Sequence, residues 1–155
     1  MKTLKFTLAT ISICICACIS NADGLKDVQR VIQANYRKMD AAYAKKDITV
    51  VENLFSPKCR FKMKGEHINV PEQIFIGGTK ALFRTSSAVK STTKLVSFTS
   101  SKEGYLATIN WTGQAKPISK DGKPKKFEGT KQTVFDTWHK TPKGWKITTR
   151  LIEAG

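Results

Sequence analysis

The apolar residues of this chain change their period part-way along it, and that change limits the possible folds more than any other feature. Between residues 24 and 46, Leu25, Val28, Ile32, Tyr36, Met39 and Tyr43 recur at spacings of 3, 4, 4, 3 and 4. Such spacing puts them on one face of a helix, with Lys26, Arg30, Arg37 and Lys45 off that face. Asp23 is placed to cap the helix start, and Lys45 and Lys46 suit its negative C-terminal end. From Thr93 onward the pattern alternates, and turn residues punctuate it at Ser100 to Gly104, Lys120 to Pro124 and Thr141 to Gly144. Strands are expected around Leu95, Val96 and Phe98, then over Tyr105 to Ala115, Phe127 to His139 and Trp145 to Ile152.

Between these halves Asp47 can cap a short second helix with Ile48, Val51, Leu54 and Phe55 on its apolar side, stopped by Ser56 and Pro57. Cys59, Phe61 and Met63 then alternate with Arg60, Lys62 and Lys64, as in a half-buried strand. Residues from Glu66 to Gly78 read as irregular, and Thr79 as the cap of a third helix carrying Ala81, Leu82, Phe83 and Ala88. Helices segregated from hairpin-linked strands define an α+β domain, with N-terminal helices packed on a curved antiparallel sheet. The length of 155 residues suits one such domain.

Residues 1–22 are set apart from the domain at 23–155. Lys2 and Lys5 precede an uncharged apolar run from Phe6 to Ile19, and Ser20, Asn21 and Ala22 follow. That is the three-part pattern of a secretory signal peptide, so the protein is expected to be exported to the periplasm or the medium. Ile15 to Cys18 also resembles a lipoprotein processing box, which would leave a lipid anchor on Cys18. Cleavage after Ala22 would remove Cys14, Cys16 and Cys18 and leave Cys59 alone, so no internal disulfide is expected. It would also remove two lysines and no acid from a chain that carries 27 Lys and Arg against 12 Asp and Glu. The secreted form stays strongly basic.

Three stretches carry a family resemblance across nearly all of 23–155. The first runs through Lys46, Asp47 and Ile48 to Val51, Leu54 and Phe55; the second is Gly77 to Leu82. The third is Phe135, Asp136, Thr137 and Trp138, followed after a turn by Gly144, Trp145, Lys146 and Ile147. In this order they resemble the nuclear-transport-factor-2-like superfamily, particularly its SnoaL-like branch. The resemblance implies a cone-shaped barrel with a pocket between the long helix and the curved sheet, and it implies homodimers. It implies no single activity, since the superfamily holds isomerases, dehydratases, cyclases and binding proteins. Set beside the superfamily's ketosteroid isomerases, the tyrosine position falls at or beside Met39, the base at Met63 and the acid at Asp136. A thioether cannot take a proton, so two of those three roles are unfilled.

Asp136 shares strand parity with Val134 and Trp138 and is therefore expected to face the interior. There it either acts as an acid or pairs with a nearby Arg, Lys or Tyr. Tyr36, Asp40 and Tyr43 follow at helical spacing, with Asp40 either at a pocket mouth, or solvated or paired with Arg37 or Lys45 while both tyrosines pack. Met39, Tyr43, Phe61, Met63, Ile109, Trp111, Val134, Asp136 and Trp138 are the expected lining of an apolar ligand pocket. An enzyme of SnoaL-like type would instead use Asp136 with Tyr43 or Asp40. His67, His139, Cys59 and Asp136 lack the close spacing of metal ligands, so neither metal nor cofactor is expected. Cys59 reads as a small core residue. Finally, Lys116, Lys120, Lys123, Lys125, Lys126 and Lys131 crowd one hairpin. They suit anionic lipid or polysaccharide. Nucleic acid is disfavoured, because few aromatic residues lie among them for bases to stack on.

Overall fold

A computed structural model describes residues 9–65 and 69–154. His67 and residues 1–8 of the expected leader lie outside the described residues. The elements in chain order are α1 (Ala9–Lys45), α2 (Ile48–Leu54), β1 (Phe55–Met63), β2 (Asn69–Pro71) and α3 (Glu72–Thr85), then β3 (Ser86–Ser101), β4 (Gly104–Pro117), β5 (Glu128–Thr141) and β6 (Gly144–Ala154). The strands form one six-stranded sheet in the order β2-β1-β6-β5-β4-β3. α1 packs across β3, while α3 packs on β1 and β3. The result is an α+β fold with three helices on one open sheet. Among the described residues no helix is long and apolar enough to cross a membrane.

The helical face read from the sequence is the one that packs. Ile32, Tyr36, Met39 and Tyr43 are buried, while Arg30, Arg37 and Lys45 are exposed. α1 starts well before Gly24, however, so Asp23 lies inside the helix and does not begin it. Lys46 ends it with a φ of 55°, and its N–H donates to the Tyr43 carbonyl at 3.1 Å. Asp47 then caps α2, accepting from the Val50 N–H at 3.2 Å. Phe55 opens β1 instead of ending α2, and Pro57 sits on that strand.

α3 departs most from expectation. It begins at Glu72, so Gly77, Gly78 and Thr79 are mid-helix, and the Thr79 hydroxyl donates to the Phe75 carbonyl at 3.1 Å. Burial of Ile76, Thr79 and Phe83 outweighs the roughly 1 kcal/mol that each interior glycine costs a helix. The sheet is also mixed where an antiparallel one was expected: β1 runs parallel to β6, joining the first long strand to the last. All other neighbouring pairs are antiparallel.

The three expected turns are present, with Gly104, Gly122 and Gly144 all at positive φ. At Gly104 (φ 116°) a Cβ would come within 2.5 Å of the Trp138 carbonyl oxygen, so only glycine fits there. β3 starts at Ser86, earlier than read. It carries an irregularity between Leu95 and Ser97, and β6 has one opposite Thr137 and Trp138. Both bulges matter below, because each changes which side chains face inward.

Candidate functional site

The inner face of the sheet carries a row in which Phe61, Arg150, Asp136, Ala107 and Phe98 are successive cross-strand partners. Asp136 is 0% exposed and Arg150 5%. The guanidinium grips the carboxylate with both arms, Nε to Oδ1 and Nη2 to Oδ2, each at 2.7 Å. Tyr36 reaches down from α1, and its hydroxyl donates to Oδ2 at 2.9 Å. The same hydroxyl accepts from the indole Nε1–H of Trp138 at 2.9 Å, and the two rings meet edge-on. Arg150 also lies over the Phe55 ring, 5.0 Å from its centroid. Among the described residues no buried side-chain nitrogen or oxygen lacks a partner.

Charge and burial explain how these groups hold their protons. Burial pushes the Tyr36 hydroxyl well above its ordinary value, and the neighbouring Asp136 carboxylate pushes the same way. For Arg150 burial disfavours the cation, but the Asp136 charge outweighs it and the guanidinium is held more firmly protonated than usual. Burial likewise raises the Tyr43 hydroxyl, and it pushes the Cys59 thiol up to about 12. Cys59 is therefore a buried thiol rather than a nucleophile.

A second network lies further along α1. Asp40 accepts from the Ser91 hydroxyl at 2.5 Å and from both the N–H (2.8 Å) and the hydroxyl (2.9 Å) of Thr93. Ser91 in turn accepts from the Trp111 Nε1–H at 2.8 Å. So Asp40 ties α1 to β3 instead of pairing with Arg37 or Lys45. Through Ser91 it also fixes the Trp111 ring.

That ring forms one wall of a cavity of about 330 Å³. Tyr43, Leu82, Val89, Ala115 and Pro117 supply further apolar wall, and Lys90, Gln114, Glu128 and Thr130 supply polar rim. Gly113 makes the arrangement possible, since a Cβ there would lie 2.2 Å from the Trp111 ring. The indole folds flat over its own strand only because position 113 has no side chain. A separate cavity of about 340 Å³ lies between α1 and β3, bordered by Tyr36, Arg37, Lys94 and Leu95.

Of the nine residues expected to line a pocket, Tyr43 and Trp111 border the apolar cavity of about 330 Å³. Met39, Phe61, Ile109, Val134, Asp136 and Trp138 are packed into the core. Met63 is half-buried beside Ile152 at the end of β1. Asp136, Tyr43 and Asp40 do not converge: Asp136 belongs to the Tyr36–Arg150 group and Asp40 to the Ser91–Thr93 group. It is Tyr36, one helical turn before Met39, that meets Asp136. Sequence reading passed over Arg150, Ser91, Thr93 and Gly113. Arg150 is hidden by the β6 bulge, since regular pairing from the Thr141–Gly144 turn would set Thr149 opposite Asp136. Among the described residues no group of His, Cys, Asp and Glu is placed to hold a metal ion.

No family model matches the chain, and no curated protein matches it. Solved structures do. A conserved protein from Planctomyces limnophilus superposes with a TM-score of 0.70 at 10% identity, covering 84% of this chain and 98% of that one. An NTF2-like superfamily protein from Salmonella enterica serovar Typhimurium gives 0.62 at 22% identity, covering 83% and 92%. A candidate dehydratase of the NTF2-like family from Streptomyces avermitilis gives 0.64 at 13% identity, covering 84% and 97%. The class is thus an α+β cone with helices on one curved sheet. More particularly, the chain has the nuclear-transport-factor-2-like fold, and the SnoaL-like resemblance of its sequence falls within that fold.

Proposed function

We propose that this protein is an exported binding domain that holds a small, mainly apolar ligand without transforming it. The observation that carries this reading is the cavity of about 330 Å³ walled by Tyr43, Leu82, Val89, Trp111, Ala115 and Pro117. Its size lies at the lower end of the roughly 300–1,000 Å³ range of small-molecule sites. Burying about 200 Å² of apolar ligand surface would contribute roughly 5 kcal/mol at ~25 cal/mol per Å². Loss of translational and rotational freedom offsets about that much. The ligand therefore needs a polar end as well, and Lys90, Gln114, Glu128 and Thr130 stand at the rim to meet it.

The enzymatic alternative would need Asp136 to meet a substrate together with Tyr43 or Asp40. Both Asp136 oxygens are engaged by Arg150 and Tyr36, and the residue is 0% exposed. That geometry favours a structural carboxylate and so supports the binding reading.

Titration with the neutral fluorescent probe 1-aminoanthracene tests it. The expected result is saturable one-site binding that quenches tryptophan emission. In Gly113→Val the displaced indole has the cavity itself to move into, so affinity should fall at least tenfold while the fold survives. Equal affinity in both proteins would place the probe elsewhere and refute this pocket.

A further inference from the structure

The connection between β4 and β5 is a built surface. The Gly122 N–H donates to the Ser119 carbonyl and the Ser119 N–H to the Lys123 carbonyl, both at 2.9 Å. The Lys125 N–H donates to the Pro117 carbonyl at 2.8 Å, and the Ile118 N–H to the Thr85 carbonyl at the end of α3 at 2.9 Å. Ile118 and Pro124 pair across the loop. The hairpin is thus folded and anchored, not a loose tail.

What it presents is unusual for a solvated tip. Lys120, Lys123, Lys125 and Lys126 are all exposed, with Lys131 just beyond on β5. Asp121 is engaged locally, by the Ser119 hydroxyl and by Lys123 at 3.8 Å. Among the described residues Lys120, Lys125, Lys126 and Lys131 have no carboxylate partner. Two large apolar side chains of the same connection are also exposed, Ile118 at 42% and Phe127 at 41%. Lys90 from β3 lies 4.7 Å from the Phe127 ring centroid and joins the cluster.

Charge alone would suit any polyanion, but the apolar pair decides between partners. A polysaccharide in water offers no apolar phase for Ile118 and Phe127 to enter. A bilayer offers anionic headgroups and, just beneath them, hydrocarbon. We infer that the β4–β5 hairpin docks this protein onto an anionic lipid bilayer, with Lys120, Lys125 and Lys126 on the headgroups and Ile118 and Phe127 in the interface. The inference stands on the hairpin surface and does not depend on the pocket. Docking would also bring the pocket rim to the membrane, because Pro117 and Glu128 flank the hairpin and border the cavity.

Vesicle co-sedimentation of protein purified from its own host tests this. Vesicles of phosphatidylcholine alone are compared with mixed phosphatidylglycerol–phosphatidylcholine vesicles, and each variant with the unmutated protein, which shares its N-terminal segment. Binding is expected only to the anionic vesicles, and Lys120→Glu/Lys125→Glu/Lys126→Glu should weaken it about a hundredfold. Ile118→Ser/Phe127→Ser should weaken vesicle binding at least tenfold while leaving retention on heparin unchanged. Vesicle binding that ignores Ile118→Ser/Phe127→Ser would overturn the proposal. Heparin retention without vesicle binding would do so too, and would identify a soluble polyanion as the partner. Hydrogen exchange on the unmutated protein gives a check that needs no variant: amides of 118–127 should slow with anionic vesicles, and unchanged exchange there would count against docking.

Discussion

Breaking the contact between Asp136 and Arg150 leaves a buried charge without its partner. Their mutual attraction and hydrogen bonds offset the desolvation of two buried charges, and neither is tolerable alone. Asp136→Asn should therefore lower stability by about 3–5 kcal/mol, read as the shift of a denaturant midpoint. Asp136→Leu/Arg150→Met, which removes both charges, should cost clearly less than Asp136→Asn. Tyr36→Phe deletes the donor to Asp136 and the acceptor for Trp138 Nε1, and should cost about 1–3 kcal/mol. The exposed Lys123–Asp121 pair has no such weight. Titration follows from the same burial. Tyr36 keeps its proton in the native state well past its ordinary value of 10.0, Tyr43 keeps its own past the same value, and Cys59 keeps its proton to about 12 against an ordinary 9.0. The unfolded chain loses these protons first, so the stabilisation is whole below pH 9 and declines as pH rises. Cys59 acts first, above pH 9, and the tyrosines add to the decline above pH 10. Guanidinium melts at successive pH values should show a flat midpoint to pH 9 and a fall beyond it; a midpoint rising above pH 10 would contradict the assignment.

Among the elements, α2 has the clearest single dependence. It has only seven residues, and Asp47 satisfies one of its open N–H groups. Asp47→Ala should cost about 1 kcal/mol, measured by thermal melting. Elements with unbroken periodicity were legible in the sequence. The buried stripe of α1 and the turns before Gly104, Gly122 and Gly144 are there to be read, because each depends on local chemistry. α3 was half legible. Its half from Thr79 to Phe83 reads as helix, but Gly77 and Gly78 argue for a loop until packing on β1 is known. The bulges were not legible. The irregularity between Leu95 and Ser97 turns Ser91 and Thr93 inward toward Asp40 and leaves Val96 56% exposed. A bulge inserts one residue and reverses the facing of everything beyond it, and no residue at these two sites announces it.

At the scale of the whole molecule, the parallel pairing of β1 with β6 joins the two ends of the domain, and no local pattern could reveal it. Most of the residues expected to line a pocket are core, and only Tyr43 and Trp111 among them border the cavity of about 330 Å³. Inward-facing residues near the middle of the sheet fill the core, and the cavity opens toward the end of β4 and the start of β5, where small Gly113 and Ala115 leave space. On the outer sheet face Thr108, Phe135 and Leu151 form one row, with Leu106 beside them at 37% exposure. Two copies paired across this face would cover it. Light scattering should then give twice the 17.3 kDa calculated for the full chain, less any leader removed from each copy, and Leu106→Lys should return a monomer. Whether the cavity beside Trp111 holds a ligand is decided by native mass spectrometry of protein from its own host. The unmutated protein should carry a non-covalent adduct that vanishes on denaturation and is missing from Gly113→Val. A ligand-free spectrum of the unmutated protein, or an adduct retained undiminished in Gly113→Val, would contradict a ligand in this cavity.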